Sequence, residues 1–192
     1  MNPQPERLVA SEYLAALAHA GVDYLFANAG TDFAPIAEAF ALAAERGERV
    51  PTPVIVPHES VAVAMASGFA LVTGRPQAVM VHVGNGTANA VNTLFNASRQ
   101  RVPLLMTAGR TPVLEHGTPA SRNNFIHWAQ ELFDQGGMVR ELVKWDYELR
   151  HPLQVRAVVE RALSVARSAP QGLVYLVLPR EVLATACDPQ SL

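Results

Sequence analysis

A regular alternation of helix-like and short, continuously apolar segments is the feature that most constrains how this chain folds. Apolar residues recur at helical spacing over 7–20, and Gly21 follows as a helix stop before the strand-like run Tyr24–Ala27. Further helices are predicted over 34–45, 60–73, about 87–100 and 153–168, and further strands over 54–56, 78–83, 104–107 and 173–178. Strands that alternate with helices of this length predict a three-layer α/β/α fold around a mostly parallel sheet of about six strands.

Between the fourth strand and the last helix the pattern becomes irregular. The stretch 111–124 is rich in Pro, Gly, Ser and Asn, which predicts a surface loop, and a less regular segment continues to Trp145. We find no repeat, low-complexity tract or second helix-strand series. We therefore expect a single domain over 1–187, followed by a tail or linker over 188–192.

The composition favours a compact globular protein. Apolar residues make up 49% of the 192 residues, charged residues 17%, and the formal net charge is -2, so we expect no nucleic-acid partner. The apolar runs are far shorter than the roughly 20 residues that cross a bilayer. One cysteine, Cys187, excludes an intrachain disulfide framework, and the first residues lack the pattern of a signal peptide. We expect a cytoplasmic protein without membrane contact.

Polar residues follow three of the predicted strands. These segments are Asn28-Ala29-Gly30-Thr31-Asp32, Pro57-His58-Glu59-Ser60 and Gly84-Asn85-Gly86-Thr87-Ala88-Asn89. Ligands of open parallel sheets bind beyond the carboxyl ends of the strands, so these are the informative positions. The glycine-rich segment 84–89 indicates either a close backbone approach to a ligand or simply a tight strand-to-helix turn. It lacks the endings of a P-loop and of a dinucleotide fingerprint.

Two titratable residues stand beside these turns. Glu59 begins a helix whose next residues are almost wholly apolar, so we expect this helix to be buried. Its carboxyl is then either an anionic helix cap or a group held for proton chemistry. His82 ends the third predicted strand and is either a structural residue or a proton donor and acceptor facing the crevice.

Other kinds of site find no support in the sequence. The remaining histidines show no metal-ligand spacing with one another or with carboxylates, and no Cys/His set occurs. The nucleophile-elbow pattern Gly-x-Ser-x-Gly is also missing. We predict no metal held by this chain.

Taken together, in this order and spacing, the segments resemble the N-terminal pyrimidine-binding domain of thiamine diphosphate enzymes related to acetolactate synthase and benzoylformate decarboxylase. The resemblance covers nearly the whole chain and therefore implies the pyrimidine-binding type of the thiamine diphosphate-binding fold. Its segments are 21–26, His58-Glu59, 84–89, 102–109, 143–148 and 169–176.

The resemblance implies a role for each matching residue. Glu59 would hydrogen-bond the aminopyrimidine ring of thiamine diphosphate and so promote the loss of a proton from the cofactor. Thr31 would offer its hydroxyl to the carboxylate of a 2-oxo acid, and His82 would be a second catalytic residue in contact with the substrate. The implied cofactor-binding residues are Asn28, Ala29, Gly30, Glu59, Gly84 and Asn89.

The chain also departs from this family. Acetolactate synthases usually carry a small hydroxyl residue at the position of His82, whereas benzoylformate decarboxylase is similar to this chain in carrying a histidine, which favours decarboxylation. Ala29 stands where the family commonly has proline. The family holds Mg²⁺ and the diphosphate through a Gly-Asp-Gly segment followed by paired asparagines. No Gly-Asp pair occurs here, and Asn123-Asn124 lies in a loop region without that partner motif, so the resemblance implies that another domain, in cis or in trans, binds them.

Four alternatives follow from this incompleteness, and the first two are both parts of an enzyme. The chain is an excised domain of a longer enzyme, which the late matches favour, or one subunit of a split decarboxylase such as sulfopyruvate decarboxylase. As an enzyme part it is expected to be inactive alone, to expose an apolar face and to form a homodimer or higher oligomer. A non-catalytic small-ligand-binding module and a purely structural or regulatory subunit remain as the other readings.

Overall fold

The computed structural model describes residues 7–188, whose six strands form one sheet covered by helices on both faces. The strands are β1 (Tyr24–Ala27), β2 (Thr52–Ile55), β3 (Gln77–Val81), β4 (Leu104–Arg110), β5 (Asp146–Glu148) and β6 (Leu173–Pro179). The helices are α1 (Val9–His19), α2 (Ala34–Arg46), α3 (Glu59–Thr73), α4 (Val83–Arg99), α5 (Ile126–Ala129), α6 (Val155–Arg167) and α7 (Arg180–Leu183), with single 3₁₀ turns at Thr31–Phe33, Gly136–Met138 and Pro152–Gln154. All neighbouring strands are parallel, in the order β2-β1-β3-β4-β6-β5. The predicted α/β class is confirmed.

Two apolar cores, one on each face of the sheet, explain why its strands are continuously apolar. Helices α1, α2 and α6 cover one face, and α3 and α4 cover the other. Successive residues of a strand point to opposite faces, so both sets of side chains must be apolar. In β4, Leu105 faces the core under α1 and α6, whereas its neighbours Leu104 and Met106 face the core under α3 and α4.

Helix α4 begins earlier than the sequence predicts. The segment 84–89 was expected to be a turn before a helix starting near 87, but α4 already starts at Val83 and contains the whole segment. Thr87 within it is fully buried, and its hydroxyl hydrogen-bonds the hydroxyl of Tyr175 on β6 at 2.7 Å. The expectation of a glycine-rich turn was wrong, because close packing of the first helical turn, not a chain reversal, accounts for these small residues.

The apolar sequence of helix α3 led us to expect burial on all sides, but the structure buries only one face of this helix. Ala62, Val63 and Ala66 lie in the core, but Met65 and Val72 point outward, and Val72 is 87% exposed. The helix packs on the sheet with one face only. Its other face is therefore an apolar surface that residues 7–188 leave uncovered.

Five strands match segments predicted from the sequence, whereas β5 does not. This three-residue edge strand follows the irregular segment and pairs with β6 through Tyr147 and its neighbours. It is too short and too mixed in polarity to show a period of two. Residues 1–6 of the predicted domain and 189–192 of the predicted tail lie outside the described residues. Within the described part, no helix is long and apolar enough to cross a membrane.

The two-sided core makes a first prediction about stability. Replacing the fully buried Leu105 by alanine removes contacts from the central strand β4 and is expected to lower the free energy of unfolding by about 2–5 kcal/mol. The matched change Leu153→Ala, at a side chain that is 52% exposed, is expected to cost less than about 1 kcal/mol. Urea unfolding followed by circular dichroism measures both. Equal losses at the two positions would contradict the proposed location of the core.

Candidate active site

The three predicted polar segments meet at one edge of the sheet. Strands β2, β1 and β3 are direct neighbours and parallel, so their carboxyl ends lie side by side. The residues that follow these strands, 28–32, 57–60 and 82–89, therefore form one continuous surface. Ala29, Thr31 and Asn89 are exposed, so this edge is open on one side rather than enclosed.

Glu59 is held at this edge by the start of α3. His58 caps the helix, because its Nδ1 accepts a hydrogen bond from the Ser60 amide at 3.1 Å. Glu59 is only 7% exposed, and its Oε2 accepts a hydrogen bond from Asn89 Nδ2 at 3.2 Å. The Ser60 hydroxyl in turn donates to the Asn89 carbonyl at 3.0 Å. The beginnings of α3 and α4 thus fix the carboxyl group in one orientation.

Gly86 brings α4 close to this carboxyl group. A Cβ atom at Gly86 would lie 3.3 Å from Glu59 Oε1 and 3.0 Å from Val81 Cβ. Both contacts are tighter than side chains normally make, so the absence of a side chain sets the distance between the helix and Glu59. Among the described residues, Oε1 has no hydrogen-bond donor and is the free oxygen of this carboxyl group.

His82 lies immediately after β3 and is the N-cap residue of α4. Its Nδ1 donates to Asp32 Oδ1 at 2.5 Å, and 17% of its side chain is exposed. The hydrogen bond to Asp32 raises the pKa of His82 above its ordinary value, burial opposes this, and the charge of Asp32, the Gln130 side chain and Glu59 add to the increase. His82 and Glu59 therefore lie close enough for the charge of one to affect the proton of the other.

The segment after β1 contributes mainly backbone. Asn28 is turned inward, where its side-chain amide donates to the Val56 carbonyl at 2.9 Å and ties the ends of β1 and β2 together. Ala29 is exposed, and Gly30 lies against His82, whose ring a Cβ at that position would meet at 2.2 Å. Thr31 opens the following 3₁₀ turn with its side chain exposed.

Gly84 has a different environment from the other predicted site residues. It lies in the first turn of α4, and a Cβ there would meet Leu132 Cδ1 at 2.3 Å. The segment after α5 thus covers Gly84. The structure brings Glu59, His82, Gly30 and Asn89 together, whereas contact of Gly84 with a ligand stays a prediction.

The geometry around Glu59 fits an aminopyrimidine ring. Such a ring offers a nitrogen that pairs with a carboxyl oxygen, and Glu59 Oε1 is available for this while Oε2 is already engaged by Asn89. Around it, Ala29 and Thr31 are exposed and Gly30 is partly exposed. Among residues 7–188, no group of three or more His, Cys, Asp or Glu side chains is arranged to hold a metal ion.

Comparison with known proteins identifies the family of this chain. Residues 9–138 match the family described as "Thiamine pyrophosphate enzyme, N-terminal TPP binding domain", thiamine pyrophosphate being another name for thiamine diphosphate. The chain belongs to this family. The family resemblance predicted from the sequence is confirmed, and the matched range contains every residue predicted for the site.

Individual relatives agree with this assignment. Benzoylformate decarboxylase of Pseudomonas aeruginosa is 35% identical over 64% of this chain and 22% of its own length. Acetolactate synthase of Arthrospira platensis is 30% identical over 84% of this chain and 26% of its own length. The crystal structure of benzoylformate decarboxylase from Polynucleobacter necessarius superposes with a TM-score of 0.78 at 25% identity, covering 95% of this chain and 32% of that protein. The chain thus spans less than a third of the length of these relatives.

Sequence reasoning did not single out two residues beside His82. Asp32 follows Thr31 in a segment that was noted for its position after β1, and Gln130 lies in the irregular stretch after α5. The sequence shows only an acidic residue two positions after Gly30, and its burial and its contact with His82 are visible only in the structure. Nothing in the local sequence indicates that Gln130 approaches His82, because only the path of the long loop brings it there.

The close packing of Gly86 gives a testable difference between two glycines, both in helices. Gly86→Ala forces Val81 or Glu59 to move, and such overpacking is expected to destabilise the chain by about 1–2 kcal/mol after the gain in helix propensity. Gly68→Ala, in the middle of α3 with no atom within 4 Å of the added Cβ, is expected to stabilise it by about 0.5–1 kcal/mol. Thermal and urea unfolding check the two signs. Equal stabilisation of both variants would show that Gly86 is not packed against Glu59.

Proposed function

We propose that this chain is the pyrimidine-binding half-site of a thiamine diphosphate-dependent 2-oxo-acid decarboxylase or carboligase. The observation that carries the proposal is Glu59, a nearly buried carboxyl group with one oxygen fixed by Asn89 and the other free at the sheet edge. The domain over 1–187 would hold the pyrimidine end of the cofactor. Family membership supports this, since the family is named for binding this cofactor.

Glu59 has the central role in this proposal. Its free Oε1 would pair with the ring nitrogen of the aminopyrimidine, and a desolvated carboxyl group makes this hydrogen bond stronger than an exposed one would. The hydrogen bond from the Asn89 amide would hold the carboxyl group in the orientation that this pairing requires. When bound, the cofactor supplies a nucleophilic carbon and an electron sink, while the protein supplies position, exclusion of water and proton control. Asn28, Ala29 and Gly30 would contact the ring through their backbone.

His82 and Thr31 would act on the substrate. Thr31 is exposed beside Gly30 and would donate its hydroxyl to the carboxylate of a 2-oxo acid. His82, next to Glu59, would transfer a proton to or from the reacting carbon or oxygen. A histidine at this position favours decarboxylation over carboligation. Relatives named benzoylformate decarboxylase fit this preference, and other relatives are named acetolactate synthase.

The site is proposed to be incomplete in this chain. Its edge is open on one side, and the chain spans 22–32% of the length of the relatives compared above. A diphosphate-binding domain, in the same polypeptide or in a partner subunit, would supply the Mg²⁺ site. We favour the excised-domain reading over a split decarboxylase such as sulfopyruvate decarboxylase, and we place the complete enzyme in the cytoplasm, consistent with the single free Cys187.

The uncovered face of α3 and α4 supports assembly into a homodimer or higher oligomer. Met65, Leu71 and Val72 of α3 and Phe95 of α4 are exposed on two adjacent helices. Apart from Glu59 and Arg99 at their ends, neither helix carries a charged residue. Such a face fits a second copy of itself, because two identical charged faces would repel each other. Glu59 begins the same helix, so the interface would adjoin the site.

The role of Glu59 is tested by decarboxylation of a panel of aryl and alkyl 2-oxo acids with thiamine diphosphate and Mg²⁺. We expect no activity from the chain alone and activity once its downstream region or a diphosphate-binding partner is restored. In the restored enzyme, Glu59→Gln is expected to lower kcat/KM at least about 100-fold, because a positioned proton-transfer group contributes about 10²–10⁴-fold. The matched change Glu45→Gln, at an exposed residue of α2, is expected to leave activity unchanged.

Two outcomes would contradict the proposal. Full activity of the Glu59→Gln enzyme would remove the residue from the mechanism and favour a structural or regulatory subunit. Binding of an adenine nucleotide without any response to thiamine diphosphate would favour a small-ligand-binding module instead.

The oligomer interface is tested separately by sedimentation of the restored enzyme. The double change Met65→Lys and Val72→Lys places two cations on the α3 face and is expected to shift the protein toward the monomer by like-charge repulsion. Leu153→Lys, at an apolar side chain that is 52% exposed and lies outside α3 and α4, is expected to leave the oligomer intact. An unchanged oligomer in the double variant, or a monomeric parent protein, would show that this face is not the interface.

A further inference from the structure

Asp32 is a buried acidic residue to which the proposed function gives no role. It lies in the 3₁₀ turn Thr31–Phe33 and is only 2% exposed. Placing a carboxylate in an apolar interior is costly unless hydrogen bonds and charges compensate it. Both of its oxygens have partners at the site: Oδ1 accepts from His82 Nδ1 at 2.5 Å, and Oδ2 lies 3.4 Å from the Val83 amide.

The neighbouring backbone leaves room for this pair at two glycines. A Cβ at Gly109 on β4 would lie 1.8 Å from Asp32 Oδ2, and a Cβ at Gly30 would lie 2.2 Å from the His82 ring. No side chain fits at either position without moving Asp32 or His82. The pair is therefore enclosed by strand β4 on one side and by the turn after β1 on the other.

The turn between β3 and α4 is strained where Asp32 contacts it. Val83 has φ 34°, a left-handed conformation that is a clear outlier for a β-branched residue. Such strain persists only where surrounding contacts impose it, and it concentrates at functional sites. Here the Val83 amide is directed at Asp32, so a single carboxylate contacts both the side chain of His82 and the backbone of the next residue.

Asp32 also determines which nitrogen of His82 carries a proton. A carboxylate only accepts hydrogen bonds, so Nδ1 of His82 must be the donor. In the neutral ring, Nε2 is then an acceptor on the opposite edge, and in the charged ring it is a donor. In the neutral ring, Asp32 thus selects the tautomer that carries its proton on Nδ1.

We propose that Asp32 is the positioning residue of His82, which holds its Nδ1 proton and thereby presents Nε2 as the proton-transferring atom of the site. This inference rests on the proposed function of His82 but concerns a different residue. Asp32 contacts neither substrate nor cofactor in this role. It acts only through the orientation, tautomer and charge of the imidazole.

Several charged and polar groups face His82, and Asp32 dominates them. Glu59 at the start of α3 and Gln130 after α5 both raise the pKa of His82, but less than Asp32 does. His127 on α5 is also near, and its own pKa is lowered, first by burial and then by Arg180 and other cations that include His82. Removing the negative charge of Asp32 is therefore expected to move the pKa of His82 down.

The first test is a nitrogen-15 NMR titration of histidine in this chain, with the His82 signal assigned from a His82→Gln variant. In the unaltered chain, neutral His82 is expected to carry its proton on Nδ1. In Asp32→Asn, the pKa of His82 is expected to fall and the Nδ1 preference to weaken. Asp23→Asn, at the opposite end of β1 where Asp23 pairs with Arg75, is the matched control and should leave His82 unchanged.

Stability provides a second readout in the same variants. Because the folded pKa of His82 is raised, its stabilising contribution is complete below the ordinary pKa of about 6.5 and is lost as the pH rises through the folded pKa. His127, whose folded pKa is lowered, affects stability only below its ordinary value. The loss of stability above pH 6.5 is expected to shrink in Asp32→Asn and to persist in Asp23→Asn.

Activity of the restored enzyme gives the third readout. Because a positioned proton-transfer group contributes about 10²–10⁴-fold, its misplacement in Asp32→Asn is expected to lower kcat at least about 10-fold with little change in KM. The alkaline limb of the pH profile should shift to lower pH. Asp32→Glu, which keeps the charge but not the reach, is expected to restore the pH limb more than the rate.

Different results would overturn the role of Asp32 and the proposed decarboxylase or carboligase reaction. An Nε2-protonated neutral His82 in the unaltered chain, or an unchanged titration in Asp32→Asn, would overturn the role of Asp32 whatever the activity. The measurement on the unaltered chain decides even if Asp32→Asn does not fold. A restored enzyme inactive on every 2-oxo acid, together with an Asp32-dependent titration of His82, would instead reject the proposed reaction and leave the pair intact.

Discussion

The parallel pairing of β2, β1 and β3 is the constraint on which the rest of this structure depends. It brings the ends of three strands to one edge, so residues far apart in sequence become neighbours. Strands β1 and β3 are held together because both faces of the sheet are buried around them, under α1, α2 and α6 on one side and α3 and α4 on the other. The edge strand β2 is largely exposed and is held by its parallel pairing with β1. A sheet covered on only one face would leave half of these apolar strand side chains in water. The position of the candidate site therefore depends on the strand order and on the packing that buries the sheet.

Two helices begin at this edge and place the polar side chains of the candidate site there. Helix α3 places Glu59 at its first position, and α4 approaches it closely enough for Asn89 to hold one carboxyl oxygen. Small residues permit this approach, as the tight contact of Gly86 with Val81 and Glu59 demonstrates. Stability and the proposed function are therefore coupled here, because the same contact that packs α4 on the sheet also orients the carboxyl group of Glu59.

Membership of the thiamine pyrophosphate enzyme family and the geometry of this edge support each other. The family assignment names the cofactor, and the structure provides a nearly buried Glu59 with a free oxygen beside a paired His82. The open side of the site and the uncovered face of α3 are both surfaces that a larger assembly would cover.

The sequence by itself determined the fold class, five of the six strands and the positions of Glu59 and His82 beyond strand ends. It did so because burial on both faces leaves an apolar pattern that is visible locally. Only the tertiary structure decided that 84–89 is helical, that α3 exposes one apolar face, and that Asp32 lies behind His82. These depend on what packs against each segment from elsewhere in the chain. A helix start and a turn share the same small polar residues, and a buried pair joins positions 50 residues apart, so no local pattern records either.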